Sequence, residues 1–180
     1  MSPNTTTKFH ELLKQQIRNE FTAAQQYVAI AVWFDGEDLP RLAAHFYRQS
    51  LEERNHAMMI VQYLLDNDVR VAIPAVGEVR NDFETVREPV ELALQQERTV
   101  TEESTTLARA ARDEGDYLGE QFMQWFLKEQ VEEVASMSTL LRTVDRAGTN
   151  VFHIEDFLSR ENVGAEGADP TAPRVAGGEL

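Results

Sequence analysis

Residues 46–65, FYRQSLEERNHAMMIVQYLL, read as a helix whose core face is interrupted at its middle. Leu42, Phe46, Ile60, Tyr63 and Leu64 keep the alternating three- and four-residue spacing of an amphipathic helix. Carried through the gap, that spacing lands on Gln49, Glu53 and His56. A carboxylate and an imidazole on a core face are costly to bury unless something compensates their charge. The rest of the chain decides what that is.

Three further long segments show the same periodicity. The first runs over about 7–35, with the stripe Phe9, Leu13, Gln16, Glu20, Ala23, Tyr27, Ile30 and Phe34. A turn, DGEDLP, joins it to the quoted helix, with Gly36 as the expected breaker and Pro40 suited to the first turn of the second helix. The third helix is expected from Pro89 to about Arg112, with Ala93, Glu97, Val100, Ser104, Leu107 and Ala111 on its stripe. The fourth runs to about Ala147 and carries Phe122, Phe126, Gln130, Glu133, Met137, Leu140 and Val144, with Gly148 as its C-terminal cap. A short fifth helix, NVFHIEDFLSR, comes next. Between the second and third helices, residues 66–88 contain Pro74 and Gly77 and alternate like extended chain. A link of this length fits a crossover: some twenty extended residues reach roughly 60 Å, against about 40 Å for a helix of that size. The expected architecture is all-α, a four-helix bundle over 1–160 with one long crossover and a short fifth helix. Residues 161–180, rich in Gly, Ala and Pro, are expected to form a flexible tail.

Composition narrows the chemistry. The chain has 180 residues, enough for one domain with a substantial core, and no cysteine. That rules out disulfides, thiol nucleophiles and cysteine-ligated metals. A net charge of −14 disfavours nucleic acid and anionic membranes as partners and attracts cations. No apolar run is long enough to span a bilayer. The segment MSPNTTTKFHELL lacks the basic and apolar regions of a signal peptide, so the expected compartment is the cytoplasm.

Glu20, Glu53, His56, Glu97, Gln130 and Glu133 all fall on core stripes, and their heights match. Glu20 and Glu53 are 33 residues apart about a midpoint at Gly36, inside the first turn. Glu97 and Gln130 are also 33 apart, about a midpoint at the edge of the turn DEGD. In an antiparallel helix pair, residues equidistant from the turn lie level. Both hairpins therefore bring their polar residues to one buried layer. Several carboxylates with one imidazole suit oxygen-preferring divalent cations such as iron(II) or manganese. Glu53 and His56, at i and i+3, point to one side of their helix, and a central carboxylate can bridge two metals.

The stretches NEFTAAQQYVAIAVWF, EERNHA, QQERTVT and GEQFMQWFLKEQVEEV resemble those of a ferritin, specifically a bacterial non-haem ferritin, over about Lys8–Arg160. Ferritins are four-helix bundles with one long crossover and a fifth helix. The resemblance implies a ferroxidase that takes electrons from Fe(II) by O2 or peroxide and stores ferric mineral in a hollow shell of twenty-four subunits, with a reductase as a further partner in iron release. It implies one iron held by Glu20, Glu53 and His56 and a second by Glu53, Glu97 and Glu133, with Glu53 bridging. Gln130 would hydrogen-bond bound water or oxygen species, and Tyr27 would stand next to the centre. Glu52, Glu129 and Glu132 would form a third iron site. Glu120, at the start of the fourth helix, is either a pore residue or a first-turn glutamate suited to the helix dipole. The haem-binding branch carries a methionine where this chain has Arg54, and a second Glu-x-x-His where it has Gln130 and Glu133, so no haem is expected. A bundle holding a static metal and a small di-iron oxidase that stores nothing remain as alternative readings.

Overall fold

The computed structural model describes residues 6–160 and 169–178. Five helices follow one another: α1 (Lys8–Gly36), α2 (Pro40–Asp66), α3 (Arg87–Asp113), α4 (Tyr117–Ala147) and α5 (Phe152–Arg160). The α1–α2 and α3–α4 hairpins pack side by side with α1 against α3, and α5 lies against α2 and α4.

The helix ends explain these boundaries. Thr7 caps α1: its hydroxyl accepts from the His10 amide at 3.2 Å, and the His10 ring accepts from the Thr7 amide. Glu114, in the α3–α4 turn, adds a second cap by accepting from the amides of Lys8 at 2.8 Å and Phe9 at 3.1 Å. The start of α2 has Leu39 at its cap position and makes no side-chain cap of its own. Its donors at Arg41 and Leu42 are met by the Glu155 carboxylate of α5, at 2.9 and 3.0 Å. Asp116 caps α4 through the Gly119 amide. The first turn departs from expectation in one respect. Gly36 is still helical, and Asp38 makes the reversal at φ 57°, a left-handed conformation that a short polar side chain tolerates.

The crossover, residues 67–86, contains no helix and runs along α1. Arg18 donates to the Ala75 carbonyl, and Thr22 accepts from the Gly77 amide. The Gln26 side chain exchanges two 2.8 Å hydrogen bonds with the Arg80 backbone, and Phe83 meets Trp33 edge-on. Each successive contact lies further along α1, so the link travels the bundle's length as its own length allows.

The core has two apolar parts. One gathers Tyr27, Ile30, Phe34, Leu42, Phe46, Ala93, Met137, Leu140 and Ile154. The other gathers Phe9, Leu13, Ile17, Ile60, Leu64, Leu107, Met123 and Phe126. Burying each large apolar side chain contributes roughly 1.5–3 kcal/mol. Between the two parts lie Gln16, Glu20, Gln49, Glu53, His56, Glu97, Gln130 and Glu133, all buried. The expected tail lies only partly among the described residues. Residues 161–168 and 179–180 lie outside the described residues, while Ala172, Val175 and Ala176 pack against the second apolar cluster. These side chains are small and apolar, and their burial against the bundle is what a Gly- and Pro-rich composition conceals.

Candidate metal centre

The polar layer is built by one short stretch from each long helix. Glu20 of α1 and Glu53 and His56 of α2 each offer one ligand atom, all within 4.8 Å of one another. They are 1 %, 1 % and 4 % exposed, far too enclosed for solvation to explain them. The His56 Nδ1 lies 3.5 Å from a Glu53 oxygen. Glu97 of α3 is wholly enclosed. One of its oxygens accepts a short hydrogen bond from the Tyr27 hydroxyl, and its charge acts on Glu53 and Glu133. Glu97 and Glu133 belong to the layer but stand outside the 4.8 Å group. Burial raises the proton affinity of Glu52 and of half-buried Glu129, and the charges of both add to that of Glu133, whereas Glu132 is exposed. Glu120 is paired with Arg112 at the surface.

Three glutamines hold the carboxylates. Gln16 donates to Glu20 at 2.9 Å and to Glu103 at 3.0 Å. Gln49 makes a short hydrogen bond to Glu52 and also donates to Glu133. Gln130 donates to Glu97. Its own oxygen lies 3.1 Å from the Thr101 hydroxyl, which is shared with the Glu97 carbonyl at 2.8 Å. Gln16, Gln49 and Thr101 were not expected as site residues. Gln16 and Gln49 do lie on the core stripes, and a buried amide beside a buried acid is the signal that marks them. Thr101, one turn after Glu97, carries none.

Yet several acceptors have no donor. Glu20 Oε2, both Glu53 oxygens, Glu97 Oε2 and His56 Nδ1 are all buried without a hydrogen-bond partner. Buried polar atoms are ordinarily satisfied, so this cluster of lone pairs in one layer is a candidate cation site. Protonation states agree. Burial, reinforced by the Glu53 charge, raises Glu20 well above the usual carboxylate range. Burial and the Glu97 charge do the same to Glu53 and to Glu133. Burial pushes Glu97 up to about 7, against the lowering effect of the Tyr27 hydrogen bond. Burial also raises Tyr27, so its hydroxyl stays a donor near neutrality. The metal-free layer thus holds protons that a divalent cation can displace.

The Ferritin-like domain family matches residues 10–147. The chain is 70 % identical to "Ferritin BfrB" of Mycolicibacterium smegmatis, over 97 % of this chain and 96 % of that one. It is 36 % identical to "Bacterial non-heme ferritin" of Staphylococcus aureus strain MRSA252, over 77 % of this chain and 83 % of that one. Its structure resembles an open pore ferritin from the archaeon Archaeoglobus fulgidus, with a TM-score of 0.83 and 28 % identity over 87 % of this chain and 97 % of that one. With the family matched across four helices and the layer between them, the chain belongs to the ferritin family.

Proposed function

We propose that the polar layer is a dinuclear ferroxidase centre and that the protein oxidises Fe(II) there and stores the ferric product. The observation that carries this reading is the group of buried, donorless ligand atoms on Glu20, Glu53, His56 and Glu97. Membership of the ferritin family supports iron storage and ferroxidase activity as its purpose.

Glu20, Glu53 and His56 take the first Fe(II). Glu53, Glu97 and Glu133 take the second, and Glu53 bridges them. Binding displaces the protons held by the layer. Oxidation of both ions releases two electrons, which with two protons reduce O2 to hydrogen peroxide, or peroxide to two waters. Carboxylates favour the product because Fe(III), with its higher charge, interacts with them more strongly than Fe(II). Gln16, Gln49 and Gln130 keep individual oxygens aimed inward, and Tyr27 fixes Glu97 while remaining protonated. Glu52, Glu129 and exposed Glu132 would form a third iron site beside this layer, as the coupling of Glu52 and Glu129 to Glu133 supports. Arg54, next to Glu53, offers no haem ligand.

Oligomerisation follows the same reading. Val32, Ile73, Val76, Tyr117, Leu118 and Phe152 are exposed in the single chain, at 47–77 %. Apolar surface of this kind suits subunit contacts, and a closed shell of twenty-four copies would bury it. No helix of the described residues is long and apolar enough to cross a membrane. A cytoplasmic store accords with that.

The test is stepwise addition of Fe(II) in air to metal-free protein, well beyond the roughly two ions per chain of one dinuclear centre. Ferric absorbance is followed, and the particle is then sized by chromatography. Rapid oxidation with excess iron eluting on a very large particle is expected. Oxidation that stops at about two ions per chain on a small particle would instead describe an oxidase without storage. Oxidation no faster than in buffer would describe a static metal bundle.

A further inference from the structure

His56 is oriented by rings. Trp125 and Phe126 each stand edge-on to it, with centroids 5.7 Å away and interplanar angles of 74° and 68°. Ligating imidazoles are ordinarily aimed by a carboxylate or carbonyl that accepts their second N–H. Here a carboxylate stands one residue further out. The Trp125 indole N–H donates to Asp169 Oδ2 at 3.1 Å. Asp169 is itself fixed, since its other oxygen accepts from the Thr171 amide at 2.8 Å and the Thr171 hydroxyl at 2.7 Å, and Lys128 stands 3.6 Å away. These partners, the Thr171 hydroxyl and amide first, hold its carboxyl well below the usual carboxylate range. The segment bearing it is tied down independently of Trp125. The Ala176 amide donates to the Met58 carbonyl at 3.2 Å, two residues past His56, and Arg174 pairs with Asp66 at 3.0 Å.

We propose that Asp169 is a positioning residue for the first metal site: it holds Trp125, and Trp125 holds the His56 ring. The C-terminal segment thereby becomes part of the metal centre's support while contacting no metal. This rests on the reading of His56 as a ligand, and the experiment separates the two.

Full-length, metal-free protein in a Trp33→Phe background leaves Trp125 as the sole tryptophan. Co(II), which is coloured when bound and stable in air, is titrated into this protein and into Asp169→Ala, Asp169→Asn, Trp125→Phe and His56→Ala variants, with affinity and visible band both recorded. Asp169→Ala is expected to shift Trp125 emission, weaken the site by about 10-fold, within the range known for groups that orient ligands, and move its band. Asp169→Asn keeps an acceptor oxygen for the indole and is expected to stay near the parent. Trp125→Phe keeps most of the ring but loses the N–H, so it is expected to match Asp169→Ala, and the double variant to add little to either. Shifted emission with an unchanged Co(II) band and affinity would overturn the proposal, as would full additivity of the two changes. His56→Ala is the control. If it too leaves Co(II) binding unchanged, the ligand assignment itself is wrong.

Discussion

Glu53 differs from its neighbours in what it lacks. Glu20 has Gln16, Glu97 has Tyr27 and Gln130, and Glu133 has Gln49. Glu53 has no amide or hydroxyl donor: its neighbours are other members of the layer, the Glu20 carboxyl and the His56 ring at 3.5 Å. Once the layer has lost its protons both oxygens would be free, as the proposed bridging role requires, since an amide or hydroxyl hydrogen bond would compete with metal. Replacing Glu53 by Ala is therefore expected to abolish tight binding at both sites, whereas Glu97→Ala retains one ion per chain; anaerobic Fe(II) titration by calorimetry distinguishes them. The layer's proton affinity also sets a pH dependence. Glu20, Glu53, Glu97 and Glu133 all have folded pKa values above their unfolded ones. Their neutral forms stabilise the metal-free fold fully below about pH 4.5, and that contribution is lost as pH rises through the folded values, with Glu97 at about 7. Metal-free protein is thus expected to melt at a lower temperature at pH 8 than at pH 6. A saturating divalent cation should reduce or reverse the difference, because it binds the deprotonated layer. A melting temperature of the metal-free form that does not fall between these pH values would count against a layer that holds protons in the absence of metal.

Gly119 and Glu155 do at element scale what the layer's ligands do at residue scale. A Cβ at Gly119 would stand 2.4 Å from Phe9 Cε1 and 2.7 Å from Asp116 Oδ2. Phe9 is wholly buried and has no room to yield. The clash costs roughly 1–3 kcal/mol, and the better helix propensity of alanine returns at most about 1 kcal/mol. Gly119→Ala is therefore expected to destabilise the fold, as urea denaturation would record. Glu155→Ala leaves the α2 start without its carboxylate. A loss of about 0.5–2 kcal/mol is expected, with faster hydrogen exchange in α5 and in the first turn of α2, and an unaltered initial rate of iron oxidation. Helix order, the crossover and the level placement of Glu20, Glu53, Glu97 and Gln130 were legible because 3.6-residue periodicity and distance from a turn are written in one dimension. Gln16 and Gln49 were visible as polar residues on the stripes, but a glutamine's partner depends on rotamers that spacing does not fix. Thr101, the ring contact of Trp125 and the docking of residues 169–178 depend on approaches between distant segments, and no local pattern announces them.

In the whole molecule, the two apolar halves of the core supply the adhesion, and the layer proposed to carry the chemistry lies between them. The short helix shows how a single chain limits its own assembly. Ile154 and Leu158 of α5 are buried within the subunit, so little of its apolar stripe beyond Phe152 is left for neighbours. Other exposed residues must then carry much of the subunit contact. Val32, on α1 and 56 % exposed, tests this. Val32→Glu is expected to retain helical circular dichroism but shift the large particle towards smaller species in light scattering. An unchanged particle would place the contacts elsewhere.

The caps at the bundle's ends also bear on the order of synthesis. Glu114 completes the start of α1 and Glu155 completes the start of α2. Each carboxylate lies in the second half of the chain and each amide pair in the first. As the polypeptide leaves the ribosome, the first hairpin emerges with part of its N-terminal donors unmet. At about 5–20 residues per second, the interval between the end of α2 and the arrival of Glu155 is roughly 4–18 seconds. Until α3 and α4 follow, the nascent α1–α2 hairpin exposes its half of an acidic layer and an apolar face. It becomes a finished unit only when the last helix has been made, so a stalled or truncated chain is a natural client for chaperones.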